Sequence, residues 1–289
     1  MPETSFTHYL AARHRESTLV EHLHNLGYFT RWLAGHGLPE PKKAGYADLL
    51  AYARQERVRG IDVSTINLRL TSIRKYFAFL VETGTLAVNP AAGLHIRGKI
   101  RRVIREPLTL AELEALYQAY SRQAKGDGAR PAHVRNAVIL GLMVYQGLHS
   151  GELGHLEMGH IRLDDGKVYI PGGARSNPRE MALATAQVLL LDKYLCQIRP
   201  RLGPVGEKVF PGNIDNHLAA LIQALKQINP SVRNARHLRA SVILEWLKVH
   251  NKRQVQYMAG HKHIESTEHY ALQEMDSLTD QLAKHHPFG

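Results

Sequence analysis

Between His95 and Pro107 the chain carries Arg97, Lys99, Arg101, Arg102 and Arg105 against a single acid, Glu106. A stretch so charged cannot be buried, so it runs extended and solvated, and no single core continues through it. Asn89-Pro90 closes whatever precedes it. The expectation is two domains, 1–94 and 108–289, joined by a basic linker over 95–107. The chain's 289 residues are enough for two ordinary cores. Its formal net charge of +11 points to a polyanionic partner, because basic side chains gain by releasing counterions condensed on nucleic acid. An anionic membrane surface would attract the same charge, but no amphipathic basic helix or lipidation motif supports it. No apolar run approaches the roughly 20 residues of a membrane span, and Met1 to Thr18 is polar, so a soluble cytoplasmic protein is expected. The one cysteine, Cys196, excludes an intramolecular disulfide and sits in an apolar helical pattern that predicts a buried thiol.

Apolar spacing supplies the elements. Leu19, Leu23, Leu26, Phe29 and Leu33 form one helical stripe stopped by Gly35 and Gly37, and a second helix is expected from Tyr46 to about Arg59. Ile66, Leu70, Ile73, Phe77 and Leu80 form the clearest stripe, with Ser64 as the expected N-cap and Gly84 as the stop. The opposite face of that helix carries Arg69, Arg74 and Lys75, either as a solvated face or as a face for phosphate. In the second domain Thr109 and Glu112 have capping-box spacing for a helix to about Arg122. Ala132 to Tyr145 is apolar on most sides, which predicts a central core helix. A short helix is expected at His149 to Leu153, then strands at Ile161–Leu163, Val168–Ile170 and Glu180–Leu183. Thr185–Ile198 and His217–Ile228 return to helix, stopped by Pro200 and Pro230. The fold class is mainly α with a small three-stranded β-sheet.

The chemistry gathers near the C-terminus, at Arg236-His237-Leu238-Arg239, Gly260-His261 and Thr267-Glu268-His269-Tyr270. Two helices joined by a turn would put Arg236 and Arg239 on one face and bring Tyr270 back to a cationic pocket. A phenol there can attack a phosphodiester while guanidiniums neutralise charge on the phosphoryl oxygens. Alone, Tyr270 also reads as an interfacial aromatic and Arg239 as a partner for a carboxylate such as Glu152. Five histidines, His261, His263, His269, His285 and His286, invite a metal reading, but no carboxylate or cysteine completes a ligand spacing.

The order of these motifs resembles the tyrosine recombinase (phage integrase) family over most of the chain. The resemblance rests on Ser64-Thr65-Ile66-Asn67, Phe77 to Leu80, Asn89-Pro90, the basic linker, and Gly260-His261 followed nine positions later by Tyr270. It implies a helical, SAM-like core-binding domain that clamps DNA and a mainly helical catalytic domain. Tyr270 falls on the family's nucleophile, His261 on the histidine before it and Arg239 on the second motif's arginine. Three positions depart. His149 follows Gly147-Leu148 where the first-motif arginine stands, Arg236 occupies the second motif's histidine position, and the strand turn from Gly172 to Arg179 has no lysine, Arg175 being the nearest cation.

The first two departures look paired, so that Arg236 would supply the guanidinium that His149 lacks. Arg175 would stabilise charge but is a poor acid, which leaves His149 or a water to protonate the leaving 5′ oxygen. The resemblance implies cleavage and rejoining of duplex DNA through a 3′-phosphotyrosyl bond, with no metal or nucleotide cofactor, for integration or transposition of a mobile element. The competing reading is a catalytically weakened DNA-binding partner of another recombinase. Expected DNA contacts are Arg69, Arg74, Lys75, Arg97, Lys99, Arg101, Arg102 and Arg179, with Glu152 structural rather than catalytic. Met275, Leu278 and Leu282 form one face of a tail that would dock on a neighbouring copy assembled on DNA.

Overall fold

A computed structural model describes residues 5–38, 40–97, 106–126, 128–173, 176–203 and 206–272. Lys99, Arg101, Arg102, Arg175 and the tail face of Met275, Leu278 and Leu282 lie outside them. The chain separates into two compact units, Met1–Arg101 and Arg102–Gly289.

The first unit contains α1 (Phe6–Ala11), α2 (Glu16–Gly35), α3 (Tyr46–Val58) and α4 (Val63–Glu82). Every residue of the α4 stripe, Ile66, Leu70, Ile73, Phe77 and Leu80, is buried against Phe29 and Leu33 of α2 and Leu49 and Tyr52 of α3. Asp62, not Ser64, caps α4: its carboxylate accepts from the Ser64 amide at 2.9 Å and from the Ser64 hydroxyl. The inner face of α2 is rotated from the apolar reading. His22 and Asn25 are buried, with His22 Nδ1 2.9 Å from Ser72 Oγ, while Leu23 and Leu26 are half-buried.

The cations of α4 also differ from the expected open face. Arg69 is enclosed, bonded to the buried Glu56 carboxylate and stacked 3.9 Å over the Tyr28 ring. A carboxylate inside a helical core needs a cation, and Arg69 meets that need. Arg74 donates to the carbonyls of Ala91 and Leu94 at 3.1 and 2.8 Å, tying the Asn89-Pro90 turn back to its helix. Lys75 Nζ lies 3.0 Å from His14 Nε2, and Arg97 is exposed.

In the second unit α5 (Leu110–Lys125) starts with the expected Thr109–Glu112 capping box and packs on α6 (Pro131–Gln146). Eleven residues of α6 are buried, which makes it the core helix of this unit. Beyond it come α7 (Ser150–Gly154), β1 (Ile161–Arg162), β2 (Lys167–Ile170) and β3 (Arg179–Ala182). The strands form one antiparallel sheet in the order β1-β2-β3, with Val168 opposite Met181 and Ile170 opposite Arg179. Directly paired residues share a face, and Val168 and Ile170 point into the core, so the register turns Arg179 inward as well.

Helix α8 (Thr185–Lys193) widens into a π-turn over Tyr194–Ile198 and tightens into a 3₁₀ turn over Arg199–Leu202. Pro200 therefore lies inside a helical turn rather than ending one. Tyr194, Leu195 and Ile198 take the inward positions of the π-turn, which leaves Cys196 exposed and corrects the expected buried thiol. Helices α9 (Ile214–Ile228), α10 (Ala235–Val249) and α11 (Lys252–Ala259) follow, and the chain is helical again over 264–272. No helix among the described residues is long and apolar enough to cross a membrane.

Breaking a buried ion pair on one side strands the other charge. Glu56→Gln should therefore destabilise the first unit by about 3–5 kcal/mol in urea unfolding. The double variant Glu56→Leu/Arg69→Met should recover most of that loss.

Candidate active site

The site begins where α6 ends. Gly147 takes the left-handed conformation (φ 61°) that lets the chain leave the helix. His149 then caps α7. Its Nδ1 accepts from the amides of Gly151 and Glu152 at 3.0 and 3.3 Å, and the Glu152 carboxylate accepts the His149 amide at 3.1 Å. A neutral imidazole whose Nδ1 accepts carries its proton on Nε2, here 3.7 Å from Glu152 Oε1.

Glu152 is 3% exposed and holds the site together. Arg179 grips it with both terminal nitrogens, Nη1 to Oε1 at 2.6 Å and Nη2 to Oε2 at 3.2 Å. Arg239, on α10, reaches the same Oε2 at 3.3 Å and donates also to the carbonyls of Gly147 and Ala259, the latter at 2.6 Å. One guanidinium thus joins the ends of α6 and α11 to α7. Burial pushes the Glu152 carboxyl up, and Arg179 and Arg239 more than offset that, holding it below its ordinary range.

Gly260 ends α11 in the left-handed region (φ 68°), and a Cβ there would clash with Arg179 Nη1. Its carbonyl accepts the Asn177 amide at 2.9 Å, and His261 forms a β-bridge with Ser176. The His261 ring bonds through Nδ1 to the buried Thr267 hydroxyl at 2.9 Å and stacks on Tyr270, with centroids 5.9 Å apart and planes 11° apart. Burial, then the charges of Arg239 and Arg179, push the imidazole down to about 4, so it is uncharged at neutral pH. Burial raises the Tyr270 phenol, while Arg239 and Arg236 pull it back. Arg236 itself is exposed, one turn before the enclosed Arg239 on the same helix.

The structure therefore brings together Tyr270, His261, Arg239, His149 and Arg236. Arg239 meets the Glu152 carboxylate that sequence offered as an alternative to phosphate. Arg179 departs most from expectation: it is not at an exposed turn but has a side chain wholly enclosed, because the β2–β3 register and Glu152 draw it inward. Thr267 and Gly260 carry contacts that sequence reasoning did not assign. The His149–Glu152 spacing is itself a capping-box signal, readable once His149 is allowed to cap. Among the described residues no cluster of three or more His, Cys, Asp or Glu could hold a metal.

Comparison with known proteins gives the family. The profile of the "Phage integrase family" matches residues 106–276, and that of the "Phage integrase, N-terminal SAM-like domain" matches 4–84. The chain belongs to the phage integrase family, the tyrosine recombinases. It is 25% identical over 302 residues to tyrosine recombinase XerD of Chlorobaculum tepidum, covering 99% of this chain and 96% of the relative. Among solved structures, the Tn1549 transposon integrase in complex with transposon right end DNA matches with a TM-score of 0.67 at 15% identity, covering 97% of this chain and 98% of that one. A lambda integrase dimer bound to a COC' core site matches with a TM-score of 0.67 at 19% identity, covering 92% and 74%. Both likenesses are of fold: a SAM-like helical domain and a mainly helical domain with its small sheet.

Because the folded state holds His261 below the 6.5 of a free imidazole, the unfolded chain takes up the proton first. The stabilisation is complete above pH 6.5 and is lost as pH falls through about 4. Thermal unfolding of the wild type should show that loss, and His261→Gln should flatten it over the same window. Gly260→Ala should lower the melting temperature at every pH, since it adds a left-handed alanine and a clash with Arg179.

Proposed function

We propose that the chain is a site-specific DNA recombinase in which Tyr270 attacks a DNA phosphate. The observation that carries this reading is the Tyr270 phenol stacked on an uncharged His261 beside the charges of Arg239 and Arg236, in a member of the phage integrase family. The phenolic oxygen bonds to phosphorus and the bond to the 5′ oxygen breaks, leaving a 3′-phosphotyrosyl link and a 5′ hydroxyl. The phenol's proton passes to His261 or solvent, and the departing oxygen takes a proton. Attack by a partner strand's 5′ hydroxyl reverses the step, so the bond energy is conserved and no nucleotide is consumed.

Arg239 keeps N–H groups beyond those bonded to the protein, and Arg236 is exposed beside the phenol. Both suit the nonbridging oxygens, Arg236 in place of the guanidinium absent at His149. His149 suits a neutral donor better than an acid. Losing the Nε2 proton from a neutral ring would leave an imidazolate, and charging the ring first would protonate Nδ1 and break both cap bonds. Water is then the source of the leaving-group proton.

The first unit, the linker cations Arg97, Lys99, Arg101 and Arg102, and Lys75 would hold the DNA backbone, and two or more copies would assemble on it for integration or transposition of a mobile element. The cap geometry of His149 also favours a second reading: a weakened partner that positions DNA for another recombinase.

A bound site selected from a random duplex pool and nicked near its centre separates the two. A recombinase gives a covalent adduct that Tyr270→Phe abolishes; tight binding with no adduct supports the accessory role. Arg236→Ala should reduce adduct formation by about 100-fold, the scale for losing one oxyanion donor, with DNA affinity little changed. An unchanged adduct rate would rule out Arg236 as the substitute guanidinium.

A further inference from the structure

Arg179 has no assigned part in the chemistry above, yet its placement is tightly constrained. Its side chain is fully enclosed, it grips both oxygens of Glu152, and it occupies the space that a side chain at residue 260 would need. Glu152 also receives Arg239, so one carboxylate serves two guanidiniums. The cluster carries an excess positive charge in a buried place.

Stability alone does not call for that arrangement. Apolar residues of similar volume commonly replace a buried ion pair at no cost or with a gain, and an extra buried cation makes the balance worse. What the cluster does achieve is alignment. It links β3, α7, α10 and the turn after α11, which are the elements that carry His149, Arg239 and His261. We propose that Arg179 is a positioning residue of the Tyr270 site: clamped on Glu152 beneath Gly260, it fixes the Gly260–His261 turn and Arg239 relative to the phenol.

A second consequence follows from its charge. The groups acting on the His261 ring are Arg239, Arg179, Glu152 and His149, with the Thr267 hydroxyl bonded to Nδ1 and the Tyr270 ring against its face. Removing the Arg179 cation leaves Glu152 less neutralised and makes a charged His261 easier to form. Arg179 therefore also helps keep the imidazole uncharged when substrate phosphate is absent.

The inference rests on the reading of Tyr270 as nucleophile, and its test is arranged to separate the two. Full-length wild type, Arg179→Met and Arg179→Lys would be compared by NMR titration of the His261 ring and by adduct yield on the nicked duplex across pH. In Arg179→Met the His261 midpoint should rise by about one pH unit or more. Its adduct rate at pH 7 should fall about 100-fold, the scale of a displaced reacting group. DNA affinity should stay within a few-fold of wild type. Arg179→Lys keeps the charge but cannot hold both oxygens in one plane, so its His261 midpoint should stay near the wild-type value of about 4 while the adduct rate drops about tenfold.

A folded Arg179→Met with an unmoved His261 midpoint and a wild-type adduct rate would overturn the proposal. If Arg179→Met does not fold, Arg179→Lys decides: undiminished adduct formation overturns it. Should wild type itself form no Tyr270 adduct, the nucleophile reading fails, and the His261 titration still shows whether Arg179 acts on that ring.

Discussion

The second unit depends on one buried carboxylate. Glu152 accepts from its own helix cap, from Arg179 on β3 and from Arg239 on α10, so three segments distant in sequence share a single anion. An unpaired carboxylate at this depth would cost several kcal/mol. With two guanidiniums on it, the carboxyl stays ionised; Arg179 is oriented by its two-point grip, and Arg239 by one contact to the carboxylate and two to backbone carbonyls. The geometry around Tyr270 descends from that cluster: Arg239 reaches the end of α11 because Glu152 and Gly147 hold it, and His261 sits where the turn after α11 leaves it.

Charge in this protein divides into two populations. Arg69, Arg74, Arg179 and Arg239 are committed to internal acceptors, whether carboxylates or the carbonyls of turns. Arg97 and Arg236 are exposed, and Lys75 is half-exposed beside a histidine. The net charge of +11 therefore overstates the charge already arranged for a partner. Counterion release draws only on cations that can reach a phosphate, so the exposed set, rather than the total, governs how binding would depend on salt.

Helix positions were legible where apolar stripes are dense, as in α4 and α6, and where cap residues announce an end, as at Thr109 and Gly260. The three short strands were legible from their turns. What sequence could not reveal was the direction of individual polar side chains. Arg69 and Arg179 look like surface cations because arginine usually is one, and only Glu56 and Glu152, remote in sequence, explain why both are enclosed. Cys196 faces outward because a π-turn shifts the inward positions, and no local spacing marks that change. The constellation of Tyr270, His261 and Arg239 was readable from spacing, while the Thr267 bond to His261 required the fold.

The cap formed by His149 bears on timing. On the proposed chemistry, a ring whose Nδ1 is engaged by two amides is not a ready acid for the departing 5′ oxygen, and by microscopic reversibility it is no better a base for the 5′ hydroxyl that returns. Both directions are slowed together and the balance between them is untouched. The covalent state would then keep its abundance but live longer, giving paired DNA ends more time to exchange before either strand is sealed.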